Sequence, residues 1–454
     1  MEFDFCLVAS WSKLSQKQVI ARGTELESRG YTVAVLSPSP LKQVSNTDIQ
    51  TFVLSGDETT AVTKSTAEIE SQYDIPSMDH LVFTERLYFG LSRTEAVRRA
   101  CRLASSMGQL FSDHSFEYTY QTRGPETHRL LAHYLTEYHG GTSIWGDFSP
   151  FDGTFAPTTA LDGSWDEYRT VPYDEISGTE RETTRKHIEQ FREAQRFYAH
   201  DDEPSTSNTD DGPSYINRVV DTARNLMTRT RPGRVRDQIA PALRLAANRR
   251  LNEYLLPSIE QSRRLCRSTD YVFFPLQYPI ESRLTVFSPE FYDQSYLIAY
   301  LSRVLPSSTQ LFVKGHPNHP GRPAPETIHK YGDENRVRFL NHDLNAHEVI
   351  ENSEAVVVVN NTVGFETIYH GKPLLTLGEP PYAETPAVTN VEALRRLPEV
   401  LSQTISTTVP ERTVIESIYS LREASYPGDR ATFESDAVQT YIDSVISFAE
   451  SRTC

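Results

Sequence analysis

Cysteines and long apolar runs are scarce in this sequence of 454 residues. The four cysteines lie far apart and form no Cys-x-x-Cys pair, which favours reduced, structural thiols over a disulfide framework or a zinc centre. The longest purely aliphatic stretch covers 355–359, whereas a membrane-spanning helix needs ~20 apolar residues. The N-terminus is acidic and lacks the basic segment and cleavage site typical of a signal peptide. We therefore expect a cytoplasmic protein that is not integral to the membrane.

Lysine is scarce as well, at 8 of the 45 basic residues, the other 37 being arginine. The 61 acidic residues bring the net charge to −16. A general nucleic-acid-binding protein carries a basic footprint, so this balance excludes nucleic acid as the expected partner. Abundant carboxylates with few lysines are typical of proteins from high-salt cells, where excess charge is screened. The composition thus predicts a halophilic habitat, which is independent of function.

Apolar runs alternate with helical spacing along the N-terminal half of the sequence. A strand, a helix and a second strand are predicted at 3–9, 14–29 and 31–36, which is a β-α-β unit with parallel strands. The same pattern continues with strands at 49–54, 118–121 and 142–145 and helices at 94–110 and 126–139. The segment 146–166 is rich in Gly, Pro, Thr and Asp and is predicted to be a long loop, the kind of segment that often carries function.

A second α/β pattern begins at Tyr271. Its continuous apolar strands lie between helices, which indicates a parallel sheet that is covered on both faces. Strands are predicted at 271–276, 310–314, 336–340, 355–359 and 374–377, and helices at 289–304, 326–331, 346–352, 391–403, 411–423 and 435–448. The fold class is therefore α/β, with two Rossmann-like domains, a helical connector and a helical C-terminal tail.

The composition also suggests where the domains begin and end. We expect an N-terminal domain at 1–199, an acidic linker or insertion at 200–215, an Arg-rich helical connector at 216–267, a C-terminal domain at 268–390 and C-terminal helices at 391–454. The connector has 12 arginines against four acidic residues. Either it has an ordinary solvated Arg face, or it is an interfacial helix near anionic lipid or one that steers an anionic substrate.

Polar residues follow three strands of the second domain, at the carboxyl ends where open parallel sheets bind ligands. After the first strand, Gln277 and Glu281 are able to hydrogen-bond a base or a sugar. After the second strand, Lys314 and His316 stand on a loop that Gly315 and several prolines make tight. Cationic donors on a rigid loop suit a phosphate. A metal site is the rival interpretation, but the two histidines of this loop have no Cys or third His at ligand spacing.

The third loop follows the buried strand at 355–359 and leads into a helix. Asn361 and Thr362 are good N-cap residues, and Gly364 allows the helix start to pack closely. The free N–H groups at such a helix start form an anion site, and Glu366 in the first turn is able to accept hydrogen bonds from ribose hydroxyls. The alternative is an ordinary capped helix in which Glu366 only complements the helix dipole.

These loops resemble the capsular polysaccharide synthesis family, whose members include bacterial Kdo transferases with a GT-B-like fold. The matching segments are PLQYPIES at 275–282, VKGHPNHPG at 313–321 and NNTVGFETIYHGKPLLTLG at 360–378, in the family's order and spacing. The resemblance implies two domains facing across a cleft and a nucleotide-sugar donor, CMP-linked in the best-known members. It implies further that Lys314 and His316 hold the donor phosphate, and that Asn361, Thr362 and Glu366 hold the nucleotide.

The N-terminal half matches the family only approximately. The family's acidic residue within an aromatic, Gly-containing loop corresponds to Asp147 in the segment Trp-Gly-Asp-Phe at 145–148, with Asp152 as a second candidate. The resemblance thus implies a glycosyltransferase that acts on a polysaccharide or lipid-linked glycan. We expect it to need neither metal nor cofactor, because the cations and the helix dipole of the loops can stabilise the leaving phosphate. The Arg-rich composition of 216–267 suggests peripheral membrane contact through this segment. The alternatives are a CDP-linked polyol-phosphate transferase and a non-catalytic assembly protein on a degenerate transferase fold.

Overall fold

The computed structural model describes residues 1–41, 49–54, 64–195, 232–317, 319, 321–332, 336–405, 407–432 and 434–452. The strands are β1 (Glu2–Val8), β2 (Val33–Ser37), β3 (Gln50–Val53), β4 (Ser115–Thr122), β5 (Thr142–Phe148), β6 (Thr154–Thr158), β7 (Tyr271–Pro275), β8 (Gln310–Lys314), β9 (Val337–Leu340), β10 (Ala355–Val358), β11 (Leu374–Thr376), β12 (Val388–Asn390) and β13 (Tyr426–Pro427).

The helices of the described residues follow the same chain order. They are α1 (Lys13–Ser28), α2 (Thr66–Tyr73), α3 (Met78–Leu81), α4 (Phe83–Phe89), α5 (Arg93–Asp113), α6 (Thr127–Tyr138), α7 (Gly178–Ala194), α8 (Pro232–Leu255), α9 (Ile259–Ser268), α10 (Ser282–Thr285), α11 (Gln294–Val304), α12 (Pro325–Gly332), α13 (Ala346–Asn352), α14 (Val363–His370), α15 (Leu397–Thr404), α16 (Glu411–Glu423) and α17 (Ser435–Glu450). The predicted linker at 200–215 and the start of the predicted connector lie outside the described residues.

The N-terminal sheet has seven strands in the order β13-β6-β5-β4-β1-β2-β3. Strands β1 to β5 pair in parallel, whereas β6 and β13 add an antiparallel edge. One face packs against α5 and α6 through a core that includes Trp145, and the other face packs against α17 through a core that includes Tyr441. Both faces are therefore covered, as the continuous apolar strands predict.

The C-terminal sheet has six strands in the order β12-β11-β10-β7-β8-β9, and every pair in it is parallel. Its strands β7, β8 and β10 are buried almost throughout. Separate apolar cores lie on its two faces. The predicted α/β class with two Rossmann-like domains is thus confirmed.

The chain crosses between the two domains more often than the linear boundaries suggest. Helix α7 leaves the N-terminal domain and packs on the C-terminal one, where His187 Nε2 lies 2.8 Å from the Tyr369 hydroxyl and Arg192 Nε donates to the Tyr369 carbonyl at 2.7 Å. Helices α8 and α9 also contact the C-terminal domain, through Asn252 and through an Arg263–Glu348 ion pair. The last helix, α17, returns to the N-terminal domain beside α1.

One local prediction needs correction, and some short helices were not predicted. The segment 146–166 is not a continuous loop, because β6 lies within it and pairs antiparallel with β5. Its composition hides the strand, since Pro157 is typical of edges and turns and not of strand interiors. Helices α2, α3 and α4 were not predicted, because they are short and have too few turns for a clear apolar period.

The expectations about membrane-spanning helices and about cysteines can be compared with the described residues. No described helix is both long enough and apolar enough to cross a membrane. Cys6, Cys101 and Cys266 are buried free thiols, while Cys454 lies outside the described residues.

Candidate functional site

The carboxyl edge of the C-terminal sheet brings the three predicted loops together. Strands β10, β7 and β8 are direct neighbours and run in parallel, so the loops that follow them leave from the same edge. This edge is the position at which open α/β sheets bind ligands. The predicted donor-binding residues therefore come from separate parts of the sequence and share one region of the fold.

The first loop is joined to the third by a buried amide. The Gln277 side chain is 3% exposed, and its Nε2 donates to the Asn360 carbonyl oxygen at 2.9 Å. The same Nε2 lies 3.4 Å from Glu281 Oε2. Burial raises the pKa of Glu281, against the opposing charge of Arg283. Gln277 and Glu281 thus hold the loops in position, while Glu281 retains a proton more readily than an exposed glutamate does.

The second loop supplies a buried lysine, Lys314, which is close enough to Glu366 of the third loop for the two charges to interact. Lys314 is 5% exposed, and burial lowers its pKa to about 8, although Glu366 opposes the shift. Burial likewise raises the pKa of Glu366 to about 7, with Lys314 opposing. Glu366 Oε2 is buried and has no hydrogen-bond partner among the described residues. Each group only weakly balances the charge of the other. A ligand with polar atoms of its own would therefore stabilise both buried groups.

His316 lies next to this pair, on a loop that glycine allows to fold tightly. Burial and the charge of Lys314 lower the pKa of His316 to about 4, so its ring is neutral at pH 7. The ring of Tyr278 from the first loop lies 5.5 Å from that of His316. A Cβ at Gly315 would lie 2.4 Å from the Arg322 carbonyl oxygen, so only glycine fits this approach. His316 therefore places a neutral ring on this loop, and Lys314 is the cation of the loop.

The third loop ends at the start of helix α14. Asn361 Oδ1 accepts from the Val363 N–H at 3.1 Å and thus caps the helix, whereas the Thr362 side chain makes no capping bond in the described structure. A Cβ at Gly364 would lie 2.0 Å from the Tyr382 hydroxyl, which explains why glycine occupies this position. Thr362 is half-buried and remains able to contact a ligand at the helix N-terminus.

Asp147 lies where the two domains meet. Its carboxylate, at the end of β5, is 2% exposed and pairs with Arg283 Nη2 at 2.8 Å and with Arg123 Nε at 3.5 Å. Burial alone would raise the pKa of Asp147, but the two guanidinium charges outweigh burial and lower it. The carboxylate of Asp147 is therefore a fixed negative charge at neutral pH. Asp152, the second candidate, is exposed in the turn between β5 and β6.

The arginines around Asp147 are the functional candidates that the motifs did not reveal. Arg283 belongs to the C-terminal domain, so the ion pair joins residues 136 positions apart. Arg123 follows β4, and its guanidinium lies over the rings of Trp145 and Phe287 at 5.3 and 4.9 Å. Arginine at the end of a predicted strand was a usable signal for Arg123. No local pattern indicates which carboxylate an arginine from another domain will contact.

Comparison with known proteins found a matching family and a curated relative. Residues 212–397 match the family described as "Capsule polysaccharide biosynthesis protein". Protein FixF of Sinorhizobium fredii (strain NBRC 101917 / NGR234) is 32% identical over 114 residues, which are 25% of this chain and 27% of FixF. The chain therefore matches about a quarter of the length of this curated relative.

Solved structures with a related arrangement were also found. The Thermosulfurimonas dismutans KpsC, beta Kdo 2,4 transferase, superimposes with a TM-score of 0.38 at 10% identity, over 74% of this chain and 92% of that one. Anabaena Alr3699/HepE in complex with UDP-glucose gives a TM-score of 0.31 at 10% identity, over 99% of this chain and 100% of that one. At these scores the superpositions add nothing to the topology described above. The family match, in contrast, covers all three motif loops, and residues 212–397 are similar to the capsule polysaccharide biosynthesis family that those motifs predict.

Proposed function

We propose that this chain is a glycosyltransferase that moves a sugar from a nucleotide-activated, CMP-linked donor to a surface polysaccharide or glycan acceptor. One observation carries the proposal: the three loops that hold the family motifs leave from the carboxyl edge of the C-terminal sheet, with the buried groups of Lys314 and Glu366 close enough there for their charges to interact. This is where a nucleotide is expected to bind in such a sheet. The donor thus occupies the C-terminal domain, and the acceptor enters from the N-terminal domain.

The leaving phosphate of the donor is held by a cation and a helix start. Lys314 provides a charged donor and His316 a neutral ring, and helix α14, with the positive end of its dipole, starts near Thr362 at the same edge. Asn361, Gly364 and Glu366 complete the nucleotide site. Charge that develops on the departing phosphate is stabilised by these groups, so the proposed reaction requires no metal ion.

Asp147 is the proposed catalytic carboxylate. Its ion pairs with Arg283 and Arg123 keep it ionised, and its Oδ2 makes no hydrogen bond among the described residues. An ionised carboxylate suits the stabilisation of an oxocarbenium-like transition state at the anomeric carbon. A group with a lowered pKa is a weak proton acceptor, so we assign Asp147 to charge stabilisation or nucleophilic attack and not to general base catalysis.

Measurements of donor turnover distinguish the proposed function from two alternatives. A CDP-linked polyol-phosphate transferase would use the same phosphate-binding loop with a different donor. A non-catalytic assembly protein would bind nucleotide and turn over none of the donors. The buried Lys314 favours a nucleotide-binding role, because burial makes a lysine without a charged ligand costly.

The test of the proposal is nucleotide binding by Lys314→Ala, measured by calorimetry with CMP, CDP, UDP and GDP in molar salt. Loss of a charge-assisted contact costs about 1.5–3 kcal/mol, so affinity is expected to fall roughly 10- to 100-fold. Lys372→Ala is the matched control, because Lys372 Nζ donates to the Ser353 carbonyl at the opposite edge of the sheet and should not affect the nucleotide. Unchanged affinity in Lys314→Ala would remove the phosphate assignment.

The proposed place of action is the cytoplasmic face of the membrane. Helix α8 supports peripheral contact, because Leu243, Leu251 and Tyr254 are 60, 51 and 88% exposed beside exposed arginines. An exposed apolar stripe flanked by Arg is typical of an interfacial helix. Such contact would bring the active site to a lipid-linked acceptor.

A further inference from the structure

A cavity of about 200 Å³ lies between the two domains, outside the donor loops. Aliphatic side chains of Leu81, Leu130, Leu161 and Val286 and the rings of Tyr134 and Phe287 form most of its wall. Val286 and Phe287 follow α10 in the C-terminal domain, whereas the other residues belong to the N-terminal domain. The cavity therefore exists only where the domains meet.

The volume of the cavity limits its ligand to about one ring. An apolar protein cavity of about 150 Å³ takes up benzene, so about 200 Å³ accommodates one six-membered ring with small substituents. A nucleotide, with its base, ribose and phosphate, is too large for this space. The cavity is thus distinct from the donor site in size as well as in position.

The polar groups of the cavity are hydrogen-bond acceptors. His80 Nε2 lies 2.8 Å from the Val286 carbonyl oxygen, which can only accept, so Nε2 carries a hydrogen, and in the Nε2–H tautomer Nδ1 is an acceptor. Asp162 contributes a carboxylate, one oxygen of which accepts from the Ser164 N–H and hydroxyl. A ligand that suits this lining has an apolar face and carries hydroxyl donors at its rim. A pyranose ring has both features, and the carboxylate of Asp162 disfavours an anionic ring.

The cavity adjoins the proposed catalytic carboxylate through Arg123. The Arg123 guanidinium lies 4.9 Å from the ring centre of Phe287 in the cavity wall, and its Nη2 donates at 2.7 Å to the carbonyl of Ala160, next to Leu161. Arg123 Nε is 3.5 Å from Asp147 Oδ2. One side chain therefore joins the cavity wall to the carboxylate.

We propose that this cavity is an acceptor subsite that binds one neutral pyranose ring. The inference rests on the proposed glycosyltransferase function and adds a substrate class on the acceptor side. The apolar wall packs against the C–H face of the sugar, while His80 and Asp162 accept hydrogen bonds from its hydroxyls. Binding at this subsite brings the acceptor to the side of Arg123 and Asp147.

The test uses saturation-transfer NMR on the full chain with neutral methyl pyranosides of glucose, galactose, mannose and N-acetylglucosamine. Methyl glucuronide serves as the anionic probe and cyclohexanol as the apolar one. Leu161→Trp fills the cavity from a half-buried loop position, and Leu14→Trp, at a residue 45% exposed on α1, is the matched control. Asp162→Asn, at an exposed position, removes the charge while preserving the shape. CMP titration of each variant reports separately on the donor site.

We expect at least one neutral pyranoside to bind the wild type and Leu14→Trp, to lose binding in Leu161→Trp, and to bind Asp162→Asn several-fold more weakly. CMP affinity should be the same in all four proteins. Absence of binding by every pyranoside, binding that persists in Leu161→Trp, or a preference for cyclohexanol or the glucuronide would overturn the subsite. Failure of the wild type to bind any nucleotide would instead overturn the proposed function, since the pyranoside signal does not depend on nucleotide.

Discussion

Lys314 combines deep burial with weak compensation of its charge. An ammonium group removed from water needs a close partner, yet among the described residues Lys314 makes no salt bridge within 4 Å. Glu366 is near enough to act on its pKa but has a raised pKa of its own, about 7. A phosphate at this position would supply the missing partner. The residue therefore has the properties of a ligand contact and not of a structural ion pair.

Nucleotide binding should depend on pH through this lysine. The pKa of Lys314 in the free protein is about 8, and a bound phosphate favours the charged form and raises that pKa. Binding must therefore take up a proton above pH 8, and affinity should fall as the pH rises from 7 to 9. Calorimetry in buffers of different ionisation enthalpy measures this uptake. The Lys314→Arg variant stays charged, so it should bind nucleotide without proton uptake. If that variant takes up as many protons as the wild type, the proton belongs to another group.

Asp147→Asn should separate chemistry from binding. The amide has nearly the same shape but no charge, so transfer to acceptor is expected to fall by several orders of magnitude while CMP affinity remains within about threefold. The two arginines then lack a counter-charge, which costs stability, and a buried ion pair broken on one side loses about 3–5 kcal/mol. Thermal unfolding of the variant must accordingly be measured beside turnover. Full turnover by a folded Asp147→Asn protein would assign catalysis to a different carboxylate.

At the scale of the element, the sequence predicted best those strands and helices that have a strong local pattern of apolar residues. Strand β8 and helices α13 and α16 were predicted with their observed bounds, because buried parallel strands and amphipathic helices leave a clear apolar period. The three motif loops could be located in the same way, since each follows such a strand. Strand β6 was missed, because an edge strand that contains proline lacks that period.

The partners of the elements could not be predicted from the sequence. An apolar stripe shows that a helix has a buried face but not which sheet it covers, so the return of α17 to the N-terminal domain was unforeseen. The same limit applies to Asp147 and Arg283, whose contact depends on how the domains meet. Contacts between residues that are distant in sequence form only when the whole chain packs, so the sequence of a single segment does not reveal them.

Helix α8 should bind anionic membranes. Residues 243, 247, 251 and 254 recur at helical spacing and are exposed, and the ion pairs of Arg244 and Arg249 are exposed ones that contribute little. Each arginine near an anionic surface is worth about 1 kcal/mol. Changing Arg244, Arg249 and Arg250 to glutamine should therefore weaken binding to phosphatidylglycerol vesicles roughly 100-fold and spare CMP binding.

A charge-matched control distinguishes this helix from a general charge effect. Glutamine at Arg395, Arg396 and Arg412, which are exposed elsewhere on the C-terminal domain, changes the net charge by the same amount. That variant should keep the vesicle affinity of the wild type. Equal loss in both triple variants, or binding to phosphatidylcholine vesicles alone, would contradict an interface specific to α8.

At the scale of the whole molecule, the contacts between the domains enclose the proposed catalytic group. Arg283 covers Asp147, Thr84 Oγ1 donates to Thr285 Oγ1 at 2.8 Å, and Val286 packs within the N-terminal core. A carboxylate that is 2% exposed cannot receive an acceptor in this arrangement. With Asp147 as the proposed catalytic group, we therefore expect turnover to require that the domains separate at this contact and close again around the substrates.

A disulfide across this contact should stop that motion. Because the buried hydroxyls of Thr84 and Thr285 are already hydrogen-bonded across the interface, cysteines at both positions are expected to lie within reach of a disulfide. Oxidised Thr84→Cys/Thr285→Cys protein should lose turnover by more than about tenfold, which corresponds to raising the cost of opening by more than ~1.4 kcal/mol. Reduction of the disulfide should restore turnover. In each single cysteine variant, neither oxidation nor reduction should change turnover. Wild-type turnover by the crosslinked protein would mean that substrates reach Asp147 without domain opening, by a route along which Arg283 alone moves aside.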